Sequence, residues 1–398
     1  MSKSSLALVE ENDTQLLINS IEDTSSKKSF RTLFLALAVV ASGMANAVTG
    51  KIVTVPMYQF GFFIGIFNSG VYTVVYSLIL LIRVWVGITP YPYISWIWKP
   101  QTKGDNAFAR LRPIYYLIMI GFLDGLGQIL DLTSRPHLSG PLVSLLPQSG
   151  LVFSVLVSYG ILRDKYSYWQ LWCVLVVLFG VVLTVIPSFQ GASSTDASQI
   201  KFMFLAAMQP LPSAFSTLLK DYMFRKKEGL DPFIVNSHNS FFQFLLQPPL
   251  AAISIALNPA QLKGQEIWPY FKSGFDCWAG ITPEWVRPVD CSPQPWTYLA
   301  YIFFNLLLNI SYLYFLKEAS IVIAYLVNRL ILPLSVISFF IPWPLIGATT
   351  FSPWSIGGLV VILFGTILFR YLAYYQKQEK LGCCTLHFPT EGLRCSSQ

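Results

Sequence analysis

Three polar residues interrupt an otherwise apolar stretch between Ile114 and Thr133: Asp124, Gln128 and Asp131. Their i, i+4 and i+7 spacing places them on one face of a helix. The residues around them, among them Leu117, Ile118, Ile120 and Leu130, suit lipid, so the polar face must look at protein or water. An acid at the centre of a bilayer costs roughly 2.5 to 3.5 kcal/mol on insertion scales, and a cost of that size makes function the default reading. An acid in a poorly solvated place takes up and releases a proton as its surroundings change, which is the chemistry of proton coupling. Asp124 and Asp131 are the two candidates. For Asp124 the competing reading is a buried structural acid bonded to Ser, Asn or Arg. For Asp131, beside Thr133, Ser134 and Arg135, it is an end cap or a local ion pair.

Further polar residues in apolar surroundings are candidates for binding a solute. The stretch 140–162 carries Pro141, Pro147 and Gln148, and Pro147 removes a backbone donor, freeing a carbonyl one turn earlier. Backbone freed at membrane depth is tolerated only against protein or a wet cavity. Later in the chain stand Asn236, His238, Asn239, Gln243 and Gln247, followed by Pro248 and Pro249; then Asn305 and Asn309 at i and i+4; then Asn328, Arg329 and Pro333. Arg329 keeps its charge at any relevant pH, so it must be paired, hydrated or in contact with an anionic solute. A histidine in ordinary surroundings titrates near the pH of an acidic organelle, which makes His238 a candidate proton relay; its competing reading is a hydrogen-bonded cavity wall.

The elements that hold these residues follow from composition. Of 398 residues, 54% are hydrophobic and only 12% charged, against about a quarter charged in soluble domains. The expected fold is an all-α polytopic membrane protein whose partner is a lipid bilayer. The formal net charge of +7 is no sign of nucleic acid, because the basic residues cluster between apolar runs. At about 20 apolar residues per span, ten helices are expected, near 32–52, 60–84, 114–133, 140–162, 167–187, 202–223, 232–256, 297–316, 319–342 and 353–375. Placing both termini in the cytosol collects most of the Lys and Arg on that side, Lys220 included among loop residues.

Residues 169–183, WQLWCVLVVLFGVVL, match residues 354–368, WSIGGLVVILFGTIL, and Asn68–Ser69 weakly echoes Asn239–Ser240. Because each half has five helices, the second would be inverted, a build shared by many secondary transporters. The expected organisation is a disordered cytosolic tail at 1–31, repeats at 32–187 and 202–375, a non-cytosolic loop at 257–295 and a cytosolic tail at 376–398. Residues 261–273 of that loop suit an amphipathic interfacial helix. Cys277 and Cys291 share the loop and are the pair expected to form a disulfide, since disulfides persist away from the cytosol. No cysteine spacing fits zinc, and no metal or cofactor is expected. Asp13, Leu16 and Leu17 fit an acidic dileucine pattern that would engage a sorting adaptor, and Cys383 and Cys384 fit a palmitoylation site.

The segments NSHNSFFQFLL (236–246) and EIWPYFKSGFDC (266–277), with Leu123–Asp124, Gly140–Gln148 and Phe303–Asn305, resemble the chloroquine-resistance-transporter-like family of the drug/metabolite transporter superfamily. The resemblance implies ten helices in two inverted halves and a central cavity that includes Asn46, Asn68, Asp124, Gln148, Asn236, His238, Gln243 and Asn305. It also implies small-molecule substrates: peptides, amino acids, glutathione-like thiols or weak-base drugs, driven by protons out of an acidic vacuolar or lysosomal compartment. Plant relatives of the family reside in plastid envelopes instead. Two departures are fewer loop cysteines and Leu308 where family members carry an acid. A nucleotide-sugar or phosphate-ester antiporter would want clustered Lys and Arg within the last helices, where Arg329 stands alone. An intramembrane acyltransferase would want a nucleophile beside His238, and the sequence offers none.

Overall fold

The computed structural model describes residues 31–100, 110–162, 166–190, 197–227, 229–257, 266–286, 289–318, 321–347 and 352–385. Fourteen α-helices are named along them: α1 (Arg31–Ile52), α2 (Gly61–Trp85), α3 (Tyr91–Trp98), α4 (Pro113–Ser134), α5 (Gly140–Leu145), α6 (Gly150–Val157) and α7 (Tyr168–Gln190) in the first half of the chain. The second half holds α8 (Ala197–Met208), α9 (Pro210–Lys226), α10 (Pro232–Leu257), α11 (Ile267–Trp278), α12 (Gln294–Glu318), α13 (Ile321–Ser338) and α14 (Pro353–Thr385). Among the described residues, nine helical segments are long and apolar enough to cross a membrane. The expected count was ten; α13, 18 residues long, occupies the place of the missing one.

Several starts share a device. Helices α4, α9, α10 and α14 each begin on a proline, whose fixed φ suits the first turn and whose missing N–H would have had no helical acceptor there. Two spans read as single helices are in fact broken. Pro147 sits in a 3-10 turn, Leu146–Ser149, between α5 and α6, and Gln209 separates α8 from α9 ahead of Pro210 and Pro212. By contrast, Pro248 and Pro249 lie inside α10, and Pro333 inside α13, without ending either helix. The connection after α2 holds a short helix, α3, where no span is expected. The amphipathic helix of the later loop, expected over 261–273, is found as α11 at Ile267–Trp278, and residues 258–265 are outside the described set.

Burial runs opposite to that of a soluble protein. Leu78, Leu81, Leu175, Phe179, Val360 and Phe364 are exposed, whereas Asn68, Ser69, Ser216, Gln243 and Gln247 are buried. Apolar side chains on the outside and amides on the inside suit a hydrocarbon solvent and an internal polar seam.

The two matched segments lie in α7 and α14, which pack directly against each other. A methyl placed on Gly180 would sit 3.0 Å from the Ile362 backbone nitrogen and 3.1 Å from the Gly358 carbonyl oxygen; one on Gly358 would sit 2.8 Å from the Gly180 carbonyl oxygen. One on Gly365 would meet the Cys173 carbonyl oxygen at 3.2 Å. Small residues thus let two backbones touch, as membrane helices favour in the absence of a hydrophobic drive between them. Gly358→Val is expected to destabilise the purified protein by about 1–3 kcal/mol through overpacking. Gly357→Ala, which has nothing within 4 Å, should be near neutral in the same thermal melts.

The loop after α10 folds onto the start of α2. Trp278 stacks on Phe67 with ring centroids 3.8 Å apart, Tyr270 donates from its hydroxyl to the Gln59 carbonyl, and the Trp285 indole N–H donates to the Ser273 hydroxyl at 3.0 Å. Cys277 and Cys291 are joined in a disulfide, both fully buried, with their Cα atoms 5.0 Å apart. This cap forms one cluster with Met57, Phe60, Phe62 and Phe63.

Candidate functional site

Helix α4 is wedged between α10 and α9, and its small residues make room for both. A methyl on Gly121 would lie 2.9 Å from the Gln243 backbone nitrogen, and one on Gly127 would lie 2.9 Å from the Ser213 hydroxyl. Along this contact the polar residues of α4 meet polar residues spaced i, i+4 and i+8 on α10. The Asp124 carboxylate accepts a hydrogen bond from Asn239 Nδ2 at 2.8 Å and pairs with Lys220 Nζ of α9 at 2.7 Å. One turn further on, Gln128 Oε1 accepts from Gln243 Nε2 at 2.9 Å and from the Gln247 amide, with Ser69 of α2 at 3.4 Å. Thr133 and Ser254 close the seam at 2.8 Å. Every one of these bonds joins the first half of the chain to the second except the one from Ser69.

A second polar group lies towards the end of α4. Asp131 pairs with Arg135 one turn on, the guanidinium Nε reaching Oδ1 at 3.3 Å. The Tyr301 hydroxyl stands in electrostatic reach of both charges. It also accepts from Asn305 Nδ2 at 3.4 Å. Asn305 Oδ1 in turn accepts from the Tyr72 hydroxyl of α2 and from Asn309 Nδ2 at 2.8 Å. Asn68, fully buried on α2, lies close to Tyr301 but outside hydrogen-bond geometry, and neither of its amide atoms has a partner among the described residues. The same is true of Asn46 Oδ1, Asn239 Oδ1 and Gln247 Oε1. A buried polar atom left unmet costs about 1–3 kcal/mol, so such atoms are where water or solute belongs.

The remaining predicted positions are placed as follows. Gln148 donates to the Ser144 carbonyl at 3.3 Å, one turn earlier in its own span. Asn236 is half-buried, and His238 Nδ1 meets the Ile234 carbonyl of its own helix at 2.8 Å. Asn309 is exposed. The side chain of Arg329, the string Asp13, Leu16, Leu17 and the side chains of Cys383 and Cys384 lie outside the described residues. Asp124 is therefore met by Asn239, not by Asn236 or His238. Lys220, counted from sequence among the loop charges although the expected span 202–223 holds it, is a correction: it lies within α9 and supplies the counter-ion of Asp124. The signal was present in Ser213, Thr217 and Lys220, whose i, i+4, i+7 spacing repeats that of Asp124, Gln128 and Asp131.

At the opposite end of α2 a second ion pair ties the halves together. Arg83 holds Asp231, just before α10, with Nη2 at 2.8 Å and Nε at 2.9 Å, and Asp231 Oδ1 accepts from the Phe233 backbone N–H at 3.0 Å as a helix cap. Burial works against the Asp231 charge. The Thr89 hydroxyl, the Phe233 N–H and Arg83 together outweigh it and hold the carboxyl below its ordinary value of 3.8. A depressed acid contributes stability that is present above the unfolded value and is lost as pH falls through the folded one. The thermal midpoint of the wild type is therefore expected to fall below about pH 4 more steeply than that of Asp231→Asn, which should start lower at neutral pH.

Comparison with known proteins identifies the family of the chain. A family model described as CRT-like, chloroquine-resistance transporter-like, matches residues 32–369, nearly all of the membrane region. The chain belongs to the chloroquine-resistance-transporter-like family. Relatives include Crt homolog 3 of Dictyostelium discoideum, 28% identical over 370 residues covering 87% of this chain and 73% of that protein. Protein CLT2, chloroplastic, of Arabidopsis thaliana is 30% identical over 377 residues, covering 91% and 81%. The Chloroquine resistance transporter of Toxoplasma gondii is 26% identical over 268 residues, 63% of this chain and 30% of that protein. This member of the CRT-like family is thus a multi-pass membrane transporter whose internal polar seam is carried by α2, α4, α9 and α10.

Proposed function

We propose that this CRT-like protein is a secondary active transporter, coupled to protons, that moves small polar or amphipathic solutes towards the cytosol. The solute classes are peptides, amino acids, glutathione-like thiols and weak-base drugs. The observation that carries the reading is the Asp124–Lys220–Asn239 cluster, an intramembrane charge pair that bridges the two halves of the chain. A proton on Asp124 removes the charge that holds Lys220, so the bond across the halves weakens when the proton is bound and re-forms when it leaves. Alternating access needs such a reversible link between halves that move against each other. Gln128, Gln243 and Gln247 continue the same seam and offer amides to a passing solute. Asn68 and Asn46 add buried groups with unmet hydrogen bonds. Asn305 and Asn309 line the neighbouring group; Asn236, His238, Gln148 and Arg329 complete the proposed pathway, and Asp131 is the second acid. No nucleophile is required, and the chain is read as a carrier, not an enzyme.

An acidic endomembrane, vacuolar or lysosomal, suits proton-driven export to the cytosol. The chloroplastic names of the Arabidopsis relatives favour a plastid envelope as the second location. Radiolabelled amino acids, short peptides and glutathione, screened for uptake into proteoliposomes with and without an imposed pH gradient, test the reading. Acceleration of at least one solute by the gradient is expected. Gradient-independent entry of every solute, at the rate of protein-free vesicles, would contradict it.

A further inference from the structure

Lys51, at the end of α1, is a buried cation whose partners are carbonyls rather than acids. Its ammonium donates to the Arg135 carbonyl at 2.7 Å and the Pro136 carbonyl at 3.1 Å, and the side chain is 7% exposed. Among the described residues no carboxylate lies within ion-pair distance of it. Asp131, on the helix that leads into the Arg135–Pro136 turn, is taken by Arg135. Arg135 adds a like charge that works against Lys51, and His137 feels both Lys51 and Lys201. A desolvated charge lacking a counter-charge is costly, and an anion supplied from outside would offset that cost.

Lys51 also lines a cavity of about 340 Å³, together with Ser139, Phe339, Leu345 and Ile346 among others. Its size falls within the range of small-molecule sites, and its lining combines the apolar side chains of Val55, Leu138, Phe339, Leu345 and Ile346 with polar surface. The rim carries a second unusual feature. Leu345 has φ 68, a left-handed conformation that branched and bulky residues avoid. The turn that imposes it is fixed by a bridge between Trp343 and Gly347, with the Trp343 indole N–H donating to the Ser338 carbonyl at 2.7 Å. Backbone held in such a region is a mark of ligand clamps as well as of tight turns.

We infer that this cavity is a binding site for a small amphipathic carboxylate, with Lys51 pairing its anionic group and Phe339, Leu345 and Ile346 covering its apolar part. The inference rests on the proposed transport reading only for its sense as an entry site on the non-cytosolic face; the binding itself does not depend on transport. Two features set it apart from the seam at Asp124: it lies at the end of α1, and its residues are not those of the proton-linked pair.

The test is direct binding to the full chain in phosphatidylcholine nanodiscs, followed by calorimetry with N-acetyl-L-phenylalanine and with its uncharged amide. Wild-type protein is expected to prefer the carboxylate by about tenfold or more, a difference of one charge-assisted contact. Lys51→Met should erase the preference and Lys51→Arg should keep it. Should Lys51→Met fail to fold, Ser139→Trp, which fills the mouth and leaves the ammonium in place, should block binding instead. Equal binding of carboxylate and amide overturns the inference, as does unchanged binding in Lys51→Met or in Ser139→Trp. Competition by inorganic phosphate as strong as by the carboxylate, or loss of binding when anionic lipid is added to the nanodisc, also overturns it, by assigning the ammonium to a bare anion or to a headgroup. Because no flux is measured, a failed binding result leaves the transport reading standing, and a failed uptake screen leaves the binding result standing.

Discussion

Asp124→Asn is expected to insert and fold, to retain gradient-independent exchange, and to lose the acceleration of uptake by a pH gradient. The amide keeps the shape of the carboxylate and still reaches Asn239 on α10. It cannot carry the charge that pairs with Lys220 or the proton that would cancel it. The companion expectation concerns stability. Lys220→Met leaves the Asp124 charge facing an apolar group, and removing one partner of a fully buried pair costs about 3–5 kcal/mol. Here the two side chains keep 27% and 19% exposure, so water reduces the penalty, and a loss of about 1–3 kcal/mol is expected. The double variant Asp124→Asn with Lys220→Met should recover much of it, because no unpaired charge remains. Thermal denaturation of the four proteins gives a coupling of about 0.5–3 kcal/mol if the pair is formed. Additive losses would mean that the two charges do not meet. A wild-type response of Asp124→Asn to the gradient would make Asp124 structural.

The second large effect is expected at the disulfide. Cys277 and Cys291 are 14 residues apart in sequence and enclose the turn at Gly280, whose φ of +90 only glycine adopts easily. Closing a loop of that length is worth about 3 kcal/mol in the chain-entropy model. The bond ties the end of α11 to the segment ahead of α12, while α11 itself packs on α2, where a methyl on Gly274 would clash with the Phe63 ring and Trp278 lies flat on Phe67. Cys277→Ser with Cys291→Ser should lower the thermal midpoint and increase proteolytic cutting between α11 and α12. Added reductant should shift the wild type towards the double variant and leave the double variant unchanged. Identical melts for wild type and double variant would show that aromatic packing alone holds the cap.

How much of this was legible in the sequence depended on whether a residue's role was set by its own helix or by a neighbour. The polar face of α4 and the cysteine pair follow from periodicity and loop membership, and nine of the ten expected apolar runs are helical segments long and apolar enough to cross a membrane among the described residues. The partner of Asp124 was not legible. Counting Lys and Arg for orientation treats each as a surface charge and so groups Lys220 with the loops, whereas a long side chain on a span can reach inward to an acid. Asn239 was seen as polar but not as the residue that meets Asp124, since the rotation of α10 against α4 is fixed by Gly121 and Gly125 and not by either helix alone. Breaks behaved differently again. Pro147 and Pro210 interrupt their helices while Pro248, Pro249 and Pro333 do not, and a proline's effect on its helix is decided by which neighbours meet the freed carbonyl. Lys51 and its cavity could not be read in advance, because the carbonyls of Arg135 and Pro136 come from a turn 84 and 85 residues away.

The most direct test of a proton-coupled carrier is to watch the proton itself. Purified protein in liposomes loaded with a pH-sensitive dye, with no gradient imposed, should show a change in internal pH when a solute identified by the uptake screen is added outside. The change should saturate with solute and be absent in Asp124→Asn, although labelled solute still enters those vesicles by exchange. Solute entry in the wild type with no accompanying proton movement, under conditions where a proton ionophore still collapses an imposed gradient, would contradict the account.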